Sequence, residues 1–406
     1  MFLVLLAENL LFPFVALGVV LKFLISPRRS VLKGLGDELE ERFGGGVFRG
    51  EALWVHAASA GEVNAVRPLL AALRKARPGD KILLTTLTAA GRERARALPE
   101  VDSGALAPLD FWPAVSRFLS RVRPKALILV ETELWPHLIA LTGAPVVLVN
   151  GRLSERSFGR YRLIAPLLRP FVSRLAAVGA QTEADAGRFR ALGARDVSVT
   201  GNLKYDASAE PAAAFPLPWD EPFIVAASTH PVEEEAVVDA WLSARAAEPR
   251  LKLILAPRHV ERADQAAALL ARKGVSFARA SDPEWPADAL LLDRLGLLRG
   301  LYRGALACFV GGTFVPIGGH SLIEPALAGL PVLFGPHTEH TREPARLLES
   351  AGAGFCVADR TALAEKLLEL VLDPARAKAQ GALARKTAEA LQGATARTMS
   401  LLGPRL

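Results

Sequence analysis

Residues 306–337 read LACFVGGTFVPIGGHSLIEPALAGLPVLFGPH. An apolar run ends at Val310, glycine pairs stand at 311–312 and 318–319, a helix is expected from about Ser321, and a second apolar run, PVLF, follows. Two buried runs joined through a helix make a βαβ unit, whose strands are parallel. Glycines let a ligand approach the backbone, and a helix N-terminus offers free N–H groups to an anion. Glu324, three positions after Ser321, has two readings at this point. It completes a capping box with Ser321, or it accepts from the hydroxyls of a ribose, and the clustered glycines favour the second.

The same alternation extends outward on both sides. PFIVAAS, LKLILAPR and ALLLD precede this stretch as further strand candidates, and APRHVER places Pro257, Arg258 and His259 at a strand end, where an arginine can grip phosphate bidentately. Upstream, DASAEPAAAFPLPWDEP (206–222) is rich in Ala and Pro and reads as a linker. Before it the strand candidates are ALWVHAA, KILLTTL, ALILVE, APVVLVN, LAAVGAQ and DVSVTG. The expectation is therefore α/β, with two doubly wound Rossmann-like domains facing across a cleft: residues 28–206, a linker at 207–218, and residues 219–406. Ligands of such open sheets bind at the carboxyl ends of the strands.

Polar clusters stand at those ends in the first half as well. In WVHAASAGEV, Ser59 and Glu62 have capping-box spacing, so Glu62 either returns to its own helix terminus or takes a proton from a substrate hydroxyl. In ALILVETELWP, Glu131 and Glu133 follow a strand. Two carboxylates two residues apart point to opposite sides of an extended chain, so one of them, Glu131, is expected to face the cleft, unless both belong to a solvated first turn of helix. TGNLKYD brings Lys204 beside the cleft, as a cation for a developing anion or as a surface residue. NGRLSERSFGRYRLIAPLLRPFVSRL holds Arg152, Arg156, Arg160, Arg162, Arg169 and Arg174 against Glu155 alone, a solvated basic face or a contact for an anionic membrane.

Of 406 residues, 51% are hydrophobic and 22% charged, which excludes a disordered or fibrous chain. The mean hydropathy of +0.25 owes much to residues 2–25, FLVLLAENLLFPFVALGVVLKFLI. That run is long enough to cross a bilayer, though Glu8, Asn9 and Pro13 interrupt it, and it is expected to anchor the chain over residues 1–27 by spanning or by lying in the interface. Arg28, Arg29 and Lys33 would keep its flank cytoplasmic. No A-x-A cleavage site follows, and Cys308 and Cys356 suit a reducing compartment. Net charge is 49 − 42 = +7, pointing to an anionic partner; with 7% aromatic residues and no nucleic-acid-binding motif, lipid or sugar phosphates are preferred over nucleic acid. No histidine spacing suggests a metal site, and neither G-x-S-x-G nor a P-loop is present, so hydrolase and P-loop readings drop out.

Eight ordered segments, HAASAGE, ETELWP, NGRLSERS, TGNLKYD, STHPVEEE, APRHVER, GGHSLIEPA and LPVLFGPHT, resemble the 3-deoxy-D-manno-octulosonic acid (Kdo) transferases. The resemblance covers nearly the whole chain. It implies the two-domain GT-B fold and transfer of Kdo from CMP-Kdo to the lipid A precursor, with inversion, at the bacterial inner membrane, whose cytoplasmic face the basic flank favours; because Arg258 and the Gly-rich helix start can neutralise the departing phosphate, no metal or other cofactor is expected. It also implies site roles. Glu62 matches the general base, Glu131 and Lys204 match positions assigned to transition-state stabilisation, and Pro257 and Arg258 match a CMP-contacting pair. Leu295, Gly296 and Leu297 fall where the nucleotide is contacted again, and Ser321, Leu322, Ile323 and Glu324 match the loop and helix start that hold CMP, with Glu324 on ribose.

The chain departs from the family pattern twice. Ser321 and Leu322 stand where Asn and Pro are usual, and Leu295-Gly296-Leu297 replaces a Met-Gly-Glu-like contact. Backbone N–H contacts there would survive such changes. The competing readings are a membrane-associated transferase using another nucleotide sugar, a GT-B sugar-nucleotide epimerase, and an exported two-domain solute-binding protein. An epimerase has no need of an anchor, and a solute-binding protein requires cleavage and export.

Overall fold

The computed structural model describes residues 1, 5–6, 35–46, 48–208, 215–282 and 286–406. The anchor expected over residues 1–27 lies almost wholly outside them, as does much of the linker expected at 207–218. Among the described residues no helix is long and apolar enough to cross a membrane.

The chain forms two compact units, residues 1–207 with 392–406, and residues 208–391. Each is built on a seven-stranded parallel sheet. In the first unit the strands are β1 (Gly50–His56), β2 (Ile82–Thr86), β3 (Ser103–Leu106), β4 (Val122–Val130), β5 (Val146–Gly151), β6 (Ala177–Ala180) and β7 (Val197–Val199), ordered 3-2-1-4-5-6-7. In the second they are β8 (Phe223–Thr229), β9 (Lys252–Pro257), β10 (Phe277–Arg279), β11 (Ala289–Leu291), β12 (Ala307–Val310), β13 (Val332–Phe334) and β14 (Gly354–Cys356), ordered 10-11-9-8-12-13-14. Parallel strands sandwiched between helices are covered on both faces, which is why the central ones are unbroken runs of Val, Ile, Leu and Ala. Leu53, Val55, Leu84, Ile128, Val130 and Val147 face one layer, and Trp54, Leu83, Leu127, Leu129 and Leu148 face the other.

Strand order reverses between β1 and β4 in one sheet and between β8 and β12 in the other. At such switch points the connections leave the two central strands toward opposite faces and open a crevice at their carboxyl ends. The clusters after β1, β4, β8 and β12 therefore stand at crevices that topology alone creates.

The alternation expected from sequence holds, with three strands added. β3 (SGAL), β10 (FAR) and β14 (GFC) are edge strands without the run of Val, Ile and Leu that marks the others. The expected second domain, running to residue 406, needs correction, because residues 392–406 return to the first unit. Ala394 and Leu402 join its core beside Val63, Val66 and Leu70, and Asp206 accepts the N–H groups of Gly393 (2.8 Å) and Thr395 (2.6 Å). The terminal helix Ala394–Leu402 carries no local signal of which sheet it covers; packing decides it.

Candidate active site

In the first unit, β1 leads through Ala57 to Ser59 into the helix Ala60–Ala76. Ser59 caps that helix by accepting from the N–H of Glu62 (3.3 Å), and the Glu62 carboxylate accepts from the N–H of Ala58 (2.9 Å) and from the Ser59 hydroxyl (3.0 Å). The cap reading of Glu62 is thus seen in the structure. The carboxylate is tied into the cap, yet it stays half-exposed at the β1/β4 switch point. Burial pushes its pKa above the usual 4.5, the negative charge of Glu131 pushes it further, and the Ala58 and Ser59 hydrogen bonds oppose the rise.

The extended chain assumed in choosing Glu131 over Glu133 does not form. Glu131 has a φ of 64°, so the chain turns at the end of β4 instead of running extended, and the alternation of sides no longer applies. Both carboxylates act on Glu62. Glu131 Oε1 lies 2.8 Å from Lys204 Nζ. Glu133 accepts from Trp135 Nε1, and its Oε2 lies 3.7 Å from Nε2 of the buried His56. His56 Nδ1 in turn lies 3.0 Å from the Thr85 hydroxyl, which accepts from Trp54 Nε1 (2.8 Å).

Lys204 rides on the short helix Leu203–Ala207, whose position is set from two sides. The buried Asn150, at the irregular end of β5 with a φ of 54°, accepts the Leu203 N–H through Oδ1 (3.0 Å), and Asp206 is bound by the returning C-terminal segment. Neither contribution was anticipated from sequence, although NGRLSERS and TGNLKYD contain both residues.

In the second unit, Pro257 ends β9, and the exposed Arg258 follows it, its N–H donating to Thr229 O (2.9 Å). Leu295 is exposed, Gly296 turns with a φ of 88°, and Leu297 precedes the single-turn helix Leu298–Leu301. The capping box, the less favoured of the two readings of Ser321 and Glu324, is absent. The helix covers only Ile323–Leu327, Leu322 occupies its N-cap position with no side-chain cap, and Ser321 is exposed. With the helix starting at Ile323, Glu324 is its second residue and not the third after a Ser321 cap, and its carboxylate pairs with Arg299 (3.3 Å).

Sequence reading gave no role to His230 and His320, which meet here. Their Nε2 atoms are 3.1 Å apart and their rings nearly parallel, at 13°. Burial, followed by the charge of Arg258, lowers His320 to about 4, and burial also lowers His230, so both are neutral near pH 7 and one donates to the other. A signal was present: His230 and Glu233 in STHPVEEE have capping-box spacing directly after a strand.

A family model described as 3-Deoxy-D-manno-octulosonic-acid transferase (kdotransferase) matches residues 37–207. The 3-deoxy-D-manno-octulosonic acid transferase of Bordetella pertussis is 37% identical over 371 residues, which cover 86% of this chain and 86% of that protein. The chain belongs to the Kdo transferase family. The Kdo transferase of Haemophilus influenzae is 34% identical and aligns over 91% of this chain and 92% of its own length. Among solved structures, the UDP-GlcNAc 2-epimerase of Neisseria meningitidis bound to UDP-GlcNAc superposes with a TM-score of 0.60 at 15% identity, over 87% of this Kdo transferase and 100% of that chain. The spinosyn rhamnosyltransferase SpnG does so with 0.53 at 15% identity, over 86% and 99%. These two show the fold, α/β units of GT-B type with parallel sheets, and the family membership rests on the sequence relatives.

Proposed function

We propose that the protein transfers Kdo from CMP-Kdo to a hydroxyl of the lipid A precursor, inverting the anomeric carbon without a metal. The observation that carries this reading is the grouping of Glu62 with the Glu131–Lys204 pair at the β1/β4 switch point of a Kdo transferase chain.

In this reaction the acceptor oxygen bonds to the anomeric carbon while the bond from that carbon to the phosphate oxygen breaks, its electron pair leaving with CMP through an oxocarbenium-like transition state. The acceptor proton goes to Glu62, a half-buried carboxylate whose raised pKa makes it a better base than an ordinary glutamate. Lys204, held by Glu131, supplies a positive charge for the anion that develops. On the second unit, Arg258 is suited to the phosphate of CMP, Glu324 to ribose hydroxyls, and the backbone at 295–297 and 321–323 to the remaining nucleotide contacts.

The lipid end of the acceptor and the bilayer are matched to the helices Glu155–Leu163 and Ala165–Val172. There Leu163 (82% exposed), Ile164 and Leu167 stand outward among the exposed Arg152, Arg156, Arg160, Arg162, Arg169 and Arg174, while Phe158 and Tyr161 pack inward on the core. With the apolar N-terminal run read as an anchor, these exposed basic and apolar side chains support a location at the cytoplasmic face of the inner membrane.

The test is incubation of the purified protein with radiolabelled CMP-Kdo and lipid A precursor in the presence of a chelator. Labelled lipid with an inverted anomeric configuration is expected, and its mass gives the number of Kdo residues added. Absence of labelled lipid overturns the reading, and activity that returns only with added divalent cation overturns its metal-independent part.

A further inference from the structure

One buried carboxylate spans the switch point of the second sheet and has no part in the chemistry above. Glu233 follows β8 on the helix Pro231–Arg245 and is 0% exposed. Its Oε2 accepts the backbone N–H groups of His230 (3.0 Å) and Gly312 (2.8 Å), and its Oε1 accepts those of Thr313 and Phe314 (2.8 Å each). Capping its own helix uses only the His230 bond. The other three donors belong to the turn after β12, on the far side of the switch point.

That turn has little freedom apart from the carboxylate. A Cβ on Gly311 would meet Ser228 O at 2.4 Å and Glu233 Oε2 at 2.7 Å, and one on Gly312, whose φ is 72°, would meet the His320 ring at 2.9 Å. The chain then folds back on itself. Gly319 N–H donates to Gly312 O (2.8 Å) and His320 N–H to Gly311 O (3.3 Å), which sets the His320 ring against His230. Residues 321–324 follow at once. A backbone turn with three N–H groups directed at one point needs a compact anion there, and a buried glutamate whose two oxygens are both engaged supplies it.

We infer that Glu233 is a positioning residue for the donor: its carboxylate fixes the 311–314 turn and, through the Gly312–Gly319 and Gly311–His320 bonds, the segment 318–324 that receives CMP. The inference rests on the reading of that segment as the CMP site. Its neighbour Glu234 provides the contrast, since it is equally buried but spends its carboxylate on Arg262 (2.9 and 3.2 Å) within the helix layer.

The test compares Glu233→Gln and Glu234→Gln in the full chain, by CMP titration, thermal midpoint, and separate KM values for CMP-Kdo and the lipid acceptor. A carboxamide keeps the shape of Glu233 but turns an NH2 group toward two backbone donors. Glu233→Gln is expected to raise the CMP Kd and the CMP-Kdo KM at least tenfold with the acceptor KM unchanged, whereas Glu234→Gln lowers the thermal midpoint and leaves the CMP Kd alone. Should Glu233→Gln fail to fold, Glu233→Asp, which keeps the charge and shortens the reach, is read in the same way. A folded variant at position 233 with native CMP affinity, or one that loses kcat while both KM values stay native, overturns the inference alone. Native protein that binds no CMP overturns the donor-site reading and the inference with it.

Discussion

Lys204 Nζ lies 2.8 Å from Glu131 Oε1, joining residues 73 positions apart at the carboxyl end of the first sheet. Both side chains are partly exposed, 46% and 22%, and ion pairs of that kind contribute only about 0–1 kcal/mol to folding. The arrangement nevertheless takes considerable structure to make. It needs the left-handed turn at Glu131, the buried Asn150 at the N–H of Leu203, and Asp206 bound by the C-terminal segment. Such an arrangement fits a charge that is held for chemistry better than one that holds the fold.

Lys204→Met is therefore expected to lower kcat by about 10²-fold or more, the usual scale for removing a preorganised group that meets developing charge. Its thermal midpoint should stay near native. Steady-state kinetics beside a melting curve check both, and a large loss of stability with normal kcat in the folded fraction would contradict the assignment.

Glu62→Gln is expected to lose about 10²–10⁴ in turnover, the range for a general base, while CMP binding persists. Near-normal turnover would refute Glu62 as the base.

The pH dependence follows from the causes that act on Glu62. As the proposed base, Glu62 must be ionised, and its folded pKa is raised first by burial and then by Glu131, so the acid limb of kcat/KM is expected above 4.5. Glu131→Gln removes the like charge and should draw that limb down. The linkage has the matching sign: a group raised in the folded state contributes stability below its ordinary pKa and loses it as pH rises through the folded value. Glu62→Gln should accordingly gain thermal stability relative to native between pH 4 and pH 8. An acid limb at the ordinary carboxylate position in the native enzyme would remove the basis for both statements.

Asp206→Ala strips two backbone N–H groups of the C-terminal segment of their acceptor and should destabilise the first unit by about 1–2 kcal/mol, the cost of losing a strong cap. Because Lys204 lies two residues away, kcat should fall as well. Denaturant unfolding with parallel kinetics tests the coupling, and a stability loss with unchanged kcat would separate the segment from the site.

Gly311→Ala inserts a methyl group 2.4 Å from Ser228 O, a backbone atom that has little room to yield. Overpacking of this kind costs about 1–3 kcal/mol. The strain falls on the β8/β12 crevice, so CMP affinity should drop while Lys204 and Glu62, on the other unit, keep their geometry. Native CMP affinity in this variant would show that the crevice relaxes without cost.

The fold class and the places of the clusters were legible in the chain itself. Runs such as ALILV, KILLTT and KLILAP are short and rich in Ile and Leu, as strands covered on both faces are, and their alternation with helices points to parallel sheets with sites at strand ends. Glu62, Glu131, Lys204 and Arg258 were each found next to such an end because local spacing placed them there. What the order of residues left open depended on contacts far apart in sequence. A left-handed φ at Glu131 ended the extended geometry on which the alternation of the two carboxylates rested. The terminal helix Ala394–Leu402 could cover either sheet and covers the first. The carboxylate of Glu233 took three of its donors from residues 79 to 81 positions away. Propensity and periodicity are local properties, whereas register across a switch point and the pairing of a buried charge are settled only when distant backbone groups compete for the same acceptor.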